Sequence, residues 1–372
     1  MSECHFIVRD SQVLDRLFHD LVRIRISKEA MNPRTQSLDV LRGAAVLLVI
    51  CHHYATVDQS MLHIGGVGVE LFFVLSGFLI SGLLFSEIKE TGAISMSRFF
   101  LRRGLKIYPA FYAFFLLTFV MTPPVQSSQI WSELLFLQSY RRHIWQHTWS
   151  LSVEEMFYVA LPLLIVVLAK LRKLWLIPPL AFLLLVGCLA WRTQVSSKYF
   201  TEFHLRMDAL FAGVAIGYCR HFRADLFYKL TRTRWMLPLG SILLLPCILL
   251  RRSPDVIYAF VLTSNALGFG CLVCWSQGTV HLKNRAMALI GRYSYSIYLW
   301  HMPVAMFWWI MNPMSILGFI GDLGSAIAIG ILMAKIVELP ALQLRETFVL
   351  SRSTRAAAPT RSDLGELYSP AS

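Results

Sequence analysis

Residues 67–86 read VGVELFFVLSGFLISGLLFS, an apolar run whose charged residue is Glu70. About 20 apolar residues in a helix are enough to cross a hydrocarbon core of about 30 Å. Similar runs bring the predicted number of membrane spans to about ten, at residues 38–57, 67–86, 104–121, 149–169, 174–191, 204–219, 235–250, 255–275, 292–311 and 318–340. The sequence therefore predicts an all-α polytopic membrane protein.

The composition agrees with a membrane protein. Of the 372 residues, 56% are hydrophobic and 15% are charged, whereas soluble domains carry about 25% charged residues. The 7 Cys lack paired spacing, and the mean hydropathy is +0.56. These features exclude an ordinary soluble enzyme, a disulfide scaffold and a disordered chain.

The basic residues predict the orientation of the chain. A formal net charge of +13 on a soluble domain would indicate a nucleic-acid partner. With alternating spans, however, 27 of the 35 Lys and Arg fall on the side that holds the N-terminus, and cytoplasmic segments are the ones enriched in Lys and Arg. The sequence therefore predicts cytoplasmic termini, a multi-pass location in the cell inner (plasma) membrane, and the lipid bilayer rather than nucleic acid as the charged partner.

Two polar segments flank the apolar region. Residues 1–37 form a predicted cytoplasmic N-terminal segment, residues 38–345 the transmembrane domain, and residues 346–372 a disordered cytoplasmic tail. Within the first segment, apolar residues recur at helical spacing among Arg side chains, as in an interfacial amphipathic helix: Leu14, Leu17, Phe18, Leu21 and Ile24.

The first span carries ionisable groups, which are costly inside a membrane and are therefore functional candidates. Arg42 lies near its cytoplasmic end, and His53 lies eleven residues further on. At about 100° per residue these side chains share a helix face, whereas His52 points about 80° away. The alternative interpretation is that His53 is a polar residue packed between helices and Arg42 an orientation anchor.

A second basic group precedes the third span. Arg102, Arg103 and Lys106 are neighbours on a helix, so that three cations can converge on one polyanion such as a nucleotide phosphate. The alternative is that these cations only orient the protein in the membrane, since cytoplasmic segments are enriched in Lys and Arg.

Acidic residues mark two further spans. Glu70 is expected near the outer interface, where contact with water is enough to explain a charged side chain. At the start of the fourth span, Glu154 and Glu155 are adjacent, and their separation of about 100° predicts that one lines the interior while the other reaches the outer interface.

Two late residues complete the polar set. His301, in the middle of the ninth span, is either a second catalytic candidate or a histidine that bridges helices, and Glu338 is expected to pair with a base. No metal site is predicted, because the His, Cys, Asp and Glu residues lack convincing ligand spacing; Cys271 and Cys274 lie in an apolar span and are interpreted as packing residues.

Several motifs follow one another along the chain: Leu38-Asp39 with Arg42 and His53; Phe72-Phe73-Val74-Leu75-Ser76-Gly77; Arg102-Arg103 with Lys106 and Tyr108-Pro109; Trp149-Ser150-Leu151-Ser152-Val153-Glu154-Glu155-Met156-Phe157-Tyr158; Arg206, Asp208 and Gly213; Ser294-Tyr295-Ser296-Ile297-Tyr298-Leu299-Trp300-His301-Met302-Pro303; and Glu338 with Pro340. In this order they resemble the acyltransferase-3 family of integral-membrane acyltransferases, which includes bacterial O-acetyltransferases of cell-surface glycans. The resemblance covers about residues 38–345.

The resemblance implies an activity and its residues. Family members use cytoplasmic acyl-CoA, commonly acetyl-CoA, and acylate a hydroxyl of a carbohydrate or related acceptor. His53 matches the essential first-helix histidine and Arg42 its partner, and the Arg102, Arg103 and Lys106 cluster matches the element linked to CoA binding. The further candidates are His52, Glu70, Ser76, Trp149, Glu155, Tyr298, His301 and Glu338.

Two positions depart from the usual family pattern. Lys106 stands where Arg is common, which keeps the charge but loses the bidentate fork of a guanidinium. Glu70 stands where Asp is common.

The mechanism expected from these residues has two forms. His53 either removes the proton of the acceptor hydroxyl for direct attack, or accepts the acyl group itself as an acyl-imidazole and passes it on. Glu154 would orient the imidazole or shuttle its proton. The acceptor is a surface polysaccharide or exopolysaccharide, a glycolipid or a small secreted metabolite. The rival classes are a proton-coupled transporter with Arg42, His53, Glu154 and His301 as its relay, and a catalytically idle membrane scaffold.

Overall fold

The structure is a computed structural model, and it describes residues 33–55, 64–122, 125–250, 254–278, 282–311 and 315–344. These residues form helices and connecting turns, with no β-strand among them. The all-helical fold is therefore confirmed. The predicted amphipathic helix at residues 14–24 and the predicted tail at residues 346–372 lie outside the described residues.

The described residues contain thirteen α-helices: α1 Pro33–Ala55, α2 Ile64–Thr91, α3 Met96–Phe119, α4 Ser127–Leu134, α5 Trp149–Lys170, α6 Ile177–Arg192, α7 Met207–Phe222, α8 Ala224–Arg232, α9 Met236–Leu249, α10 Asp255–Ser276, α11 Arg285–Arg292, α12 Ser294–Met311 and α13 Ile316–Met333. A π-helical segment, Ala334–Glu338, continues α13. Each predicted span overlaps one of the longer helices.

Polar caps define where two of the helices begin. The Asn284 side chain accepts a hydrogen bond from the Met287 amide at 3.0 Å at the start of α11. The Ser315 hydroxyl accepts one from the Gly318 amide at 2.9 Å at the start of α13. Each cap satisfies an amide that the helix itself leaves without a partner.

Within the described residues, five helical segments are long and apolar enough to cross a membrane: Gly66–Thr91, Gln146–Lys170, Leu174–Arg192, Asp255–Ser276 and Ile316–Leu344. The other predicted spans overlap α1, α3, α7, α9 and α12, which are shorter or less apolar. Helices α1, α3 and α12 are less apolar because they carry the charged and polar side chains of the site described below.

Helix α2 lies at the centre of the bundle, packed against α1 on one side and α7 on the other. The contact with α7 is close because both helices place glycines there. A Cβ atom on Gly77 would collide with the Leu210 carbonyl, and one on Gly213 would collide with the Val74 carbonyl. Small residues at such a crossing let two backbones approach each other directly.

Two further packing relations place the walls of the site. Helix α1 packs against α2, α11 and α12, while α3 packs against α12 and the π-helical segment. Of these helices, α1, α2, α3 and α12 line a cavity together with α5 and α7.

Candidate active site

The cavity has a volume of about 430 Å³, and its walls come from α1, α2, α3, α5, α7 and α12. It brings together residues that are as much as 256 positions apart, from Arg42 to Tyr298. The candidate site residues that line it are Arg42, Ser76, Arg103, Lys106, Glu154, Glu155 and Tyr298.

Three of the predicted cations line the cavity, but they are not the three neighbours on α3. Arg103 and Lys106 line it, and Arg42 of α1 is the third member; we call these residues the three-cation group. Arg42 and Lys106 both lie within electrostatic range of Asp39, and the Arg103 guanidinium lies 5.6 Å from the centre of the Tyr158 ring.

Arg102, the third predicted member of the basic cluster on α3, does not line this cavity. Arg102 is exposed and lies outside the cavity lining. It is adjacent to Arg103 and therefore points about 100° away around the helix. The spacing that brings Arg102 near Lys106 on the helix surface does not bring both into the cavity, because the cavity touches a narrow strip of α3.

The two adjacent carboxylates both line the cavity, which corrects the prediction that one of them reaches the outer interface. Glu154 accepts hydrogen bonds from Ser76 Oγ at 2.6 Å and from the Tyr158 hydroxyl at 2.8 Å. Glu155 accepts one from the Tyr108 hydroxyl at 3.0 Å. Ser76 belongs to α2 and Tyr108 to α3, so α5 contacts both of these helices through its two carboxylates. The cavity is therefore lined by two different faces of α5.

Two histidines meet next to the cavity. His53 Nδ1 lies 3.2 Å from His301 Nε2 and 3.0 Å from the Val49 carbonyl oxygen. His301 Nδ1 lies 2.5 Å from the Tyr298 carbonyl oxygen. Helix α12 therefore brings His301 to the imidazole of α1, and the bridging role expected as one alternative for His301 is observed.

These contacts define the protonation of the pair. A carbonyl oxygen can accept but not donate a hydrogen bond, so both Nδ1 atoms carry hydrogen. In a neutral His301 the Nε2 atom then accepts from His53 Nδ1. The tautomer so assigned places the basic electron pair of His53 on Nε2, as a general base or nucleophile requires.

Among the described residues, the hydrogen bonds of Glu154 go to Ser76 and Tyr158. The structure thus places Glu154 on the cavity wall, whereas the side chain within hydrogen-bond distance of His53 is that of His301. His52 contacts His53 edge-on, with ring centres 5.0 Å apart.

A third histidine, His147, was not among the predicted site residues. Its ring centre lies 4.9 Å from that of His301, and the residue is 1% exposed. Its carbonyl oxygen accepts a hydrogen bond from the Tyr298 hydroxyl at 2.8 Å, and Ser150 Oγ lies 2.6 Å from the same hydroxyl. His147 precedes the predicted fourth span at residues 149–169 and lies in the 3₁₀ turn Gln146–Thr148, where the periodicity of an α-helix gives no information about side-chain direction.

The loop that carries His147 is held by Glu133, a buried residue of the short helix α4. One carboxylate oxygen accepts from the Ile144 amide at 2.8 Å and from Thr148 Oγ1 at 3.1 Å. The other accepts from Gln138 Nε2 at 2.8 Å. The Glu133 carboxylate thus holds Ile144 and Thr148, which lie on either side of His147.

Glu70 is 1% exposed and forms an ion pair with Arg206. This corrects the expectation that solvation explains Glu70. The Arg206 guanidinium also lies 5.2 Å from the centre of the Trp149 ring, and a second buried pair joins Arg192 to Asp208. Charges buried in this way need a partner, because an unpaired one carries a large desolvation penalty.

The expectation that Glu338 pairs with a base is also wrong. Glu338 is buried in the π-helical segment and accepts a hydrogen bond from Ser296 Oγ at 2.6 Å, and it forms no salt bridge within the described part of the chain. A hydroxyl donor satisfies this carboxyl and joins α12 to the end of α13.

Comparison with known proteins matches residues 35–335 to the model of the acyltransferase-3 family, described as an acyltransferase domain. Two similar curated proteins come from Staphylococcus aureus. "Putative O-acetyltransferase SACOL0978" of strain COL is 25% identical over 364 residues, covering 82% of this chain and 56% of the relative. "O-acetyltransferase OatA" of strain NCTC 8325 is 26% identical over 307 residues, covering 73% of this chain and 50% of the relative. The chain therefore spans about half the length of these relatives. No solved structure matches it.

Proposed function

This chain belongs to the acyltransferase-3 family, and on that premise we propose that it is a membrane O-acyltransferase. It transfers an acyl group, an acetyl group by resemblance, from cytoplasmic acyl-CoA to a hydroxyl of a carbohydrate or glycolipid acceptor such as a surface or exopolysaccharide. The names of the two relatives support O-acetylation.

One observation carries the proposal. The cavity has the three-cation group on its wall and also reaches Tyr298, whose ring centre lies 5.4 Å from that of His301. His301 in turn contacts His53. An anionic donor bound by the cations would therefore have its reactive end near the histidine pair.

The donor is held by charge. Arg42 and Arg103 offer planar guanidinium forks, and Lys106 offers an ammonium group, to the phosphates of CoA. The apolar lining of α2, including Phe72 and Leu75, suits the less polar pantetheine and acyl portions.

The chemistry then centres on His53. In direct transfer, His53 Nε2 removes the proton of the acceptor hydroxyl while the oxygen attacks the thioester carbonyl. The C–S bond breaks, and the imidazolium returns the proton to the CoA thiolate, so that an ester and free CoA are the products. In the alternative, Nε2 attacks the thioester carbonyl and the C–S bond breaks, which gives an acyl-imidazolium and the CoA thiolate. The acceptor hydroxyl then attacks the acyl group, the C–N bond breaks to free the imidazole, and the hydroxyl proton passes to the CoA thiolate. His301 holds the required tautomer in both cases.

The proposed topology has about ten spans, with both termini cytoplasmic and the chain in the cell inner membrane. Arg42 then lies towards the cytoplasm, with His53 roughly 16 Å further across the bilayer at about 1.5 Å per residue. This arrangement lets the donor enter from the inside while a hydroxyl approaches from the outside.

The test is mass spectrometry of surface glycans and glycolipids from cells that have the native gene, lack it, or carry His53→Ala. We expect a fixed acyl mass increment with the native gene that is lost in the other two strains, while His53→Ala protein remains folded in the membrane. The matched control is His204→Ala, which changes a histidine outside the cavity lining and should retain the increment.

Two results would contradict the proposal. Full acylation by His53→Ala would remove that residue from the chemistry. Failure of the purified native protein to bind acyl-CoA, combined with unchanged glycans, would favour the proton-coupled transporter.

A further inference from the structure

A fourth cation lines the cavity on a different wall. Arg220 of α7 is a lining residue, and its guanidinium lies 5.6 Å from the centre of the Phe78 ring on α2. Helix α7 packs against α2, α6 and α10, whereas the helix that carries Arg103 and Lys106 packs against α12 and the π-helical segment. Arg220 and the three-cation group therefore approach the cavity from separate sides.

The glycines of α7 explain why Arg220 faces the cavity. Gly213 and Gly217 lie four residues apart on one face, and a Cβ on either would collide with α2. Arg220 follows Gly217 by three residues, which places it on the same side of the helix. The face that packs most closely on α2 thus ends in a guanidinium at the cavity.

The end of α7 is also fixed in place. His221 Nε2 lies 3.1 Å from Ser86 Oγ, and His221 Nδ1 donates to the Gly217 carbonyl at 2.9 Å. Lys89 Nζ donates to the His221 carbonyl at 2.9 Å. Because Ser86 and Lys89 belong to α2, these bonds hold the backbone next to Arg220 against that helix.

Among the described residues that line the wall of α2 and α7, the charged one is Arg220. The acidic residues in the cavity lining are Glu154 and Glu155, and both belong to α5. The wall built by α2 and α7 contributes Arg220 and His221 as its ionisable lining residues, which we call the α7 patch. A second anionic group is the natural ligand for such a patch.

We propose that the α7 patch binds the 3′-phosphate of CoA, with Arg220 as the donor to the phosphate oxygens, while the three-cation group binds the pyrophosphate. This inference rests on the proposed function and names a subsite of its donor. CoA carries two phosphate groups separated by a ribose, and the cavity has two cationic groups on separate walls. The three-cation group is assigned the pyrophosphate because the pantetheine arm is attached to the pyrophosphate and must reach Tyr298.

Dephospho-CoA, which differs from CoA by the 3′-phosphate alone, provides the test. The native protein and Arg220→Ala are placed in nanodiscs of zwitterionic lipid, and the dissociation constants of CoA and dephospho-CoA are measured by calorimetry. We expect the native protein to bind CoA about tenfold more tightly than dephospho-CoA, as a charge-assisted contact allows. We expect Arg220→Ala to bind both at the dephospho-CoA level, and Arg220→Lys to restore part of the preference.

Arg223→Ala is the matched control, because Arg223 ends the same helix but is 61% exposed and lies outside the lining. It should keep the full preference for CoA.

The outcomes separate the two proposals. A preference for CoA that survives in Arg220→Ala, or its absence from the native protein, overturns the subsite and leaves the proposed function standing. If the native protein binds neither compound, the proposed function fails and the subsite fails with it. If Arg220→Ala weakens binding to vesicles containing phosphatidylglycerol and leaves both nucleotides unaffected, the ligand of the patch is a lipid headgroup, and the subsite is again overturned.

Discussion

Arg102 and Arg103 are adjacent, carry the same charge and stand on the same helix, yet one is exposed and the other lines the cavity. The difference follows from helix geometry, because neighbours point about 100° apart. Position on the helix, rather than charge density in the sequence, decides which of the two lines the cavity.

Arg103→Ala should therefore raise the dissociation constant of acyl-CoA by about tenfold, the effect expected when a charge-assisted contact is removed. Arg102→Ala, which loses the same charge outside the cavity lining, should leave binding near its native value. Calorimetry on the two purified variants checks the prediction. Equal losses in both would mean that the cations act through the general surface potential.

The residues of the site differ in how well the sequence predicts them. His53 shares a face with Arg42 by simple periodicity, and His301 stands out as an ionisable residue in an apolar span. Glu154 and Glu155 are equally visible, but their directions depend on how α2 and α3 sit around α5, which no single-helix rule contains. Glu70 and Arg206 lie 136 residues apart, and only the folded bundle shows that they pair.

At the scale of elements, spans are easier to predict than loops. The predicted spans follow from long apolar runs, and each overlaps a helix, with ends that differ by up to eight residues. The loop before α5 offers no such periodicity, so the sequence did not indicate that His147 packs on His301. Its position depends on Glu133, whose partners lie between five and fifteen residues away along the chain.

Glu133→Gln should disturb this loop. One carboxylate oxygen would become an amide that donates hydrogen bonds, and it would face donors on Ile144, Thr148 or Gln138. An unsatisfied buried contact of this kind costs about 1–3 kcal/mol. Because the displaced loop also holds Tyr298 through the His147 carbonyl, kcat should fall while the dissociation constant of acyl-CoA stays near native.

Ser128→Ala, an exposed change on the same short helix, is the control for Glu133→Gln and should keep native kcat. A Glu133→Gln variant with native kcat and native thermal stability would show that the loop does not need the carboxylate.

At the scale of the whole molecule, paired charges sit inside the bundle and connect helices distant in sequence. Glu70 of α2 pairs with Arg206, which directly precedes α7, and Arg192 of α6 pairs with Asp208 of α7. Such pairs contribute little net stability when intact, but breaking one leaves an uncompensated charge. These pairs therefore raise the free energy of any arrangement in which α2, α6 and α7 are not correctly assembled.

Arg206→Met should destabilise the protein by about 3–5 kcal/mol, because the Glu70 carboxylate would remain buried without its partner. The double variant Glu70→Leu with Arg206→Met removes both charges and should recover much of the loss. Thermal unfolding of the purified proteins in one detergent compares them. A double variant less stable than Arg206→Met alone would show that the pair stabilises the fold outright.

The contact between His53 and His301 joins residues separated by 248 positions. During biosynthesis, most of the bundle must leave the ribosome and insert before the second imidazole can reach the first. The nascent protein is therefore unable to assemble this pair before α12 has been made, and a prematurely terminated copy that lacks α12 would lack the pair as well. The histidine pair therefore forms late, with the completion of the chain rather than with the insertion of its first helices.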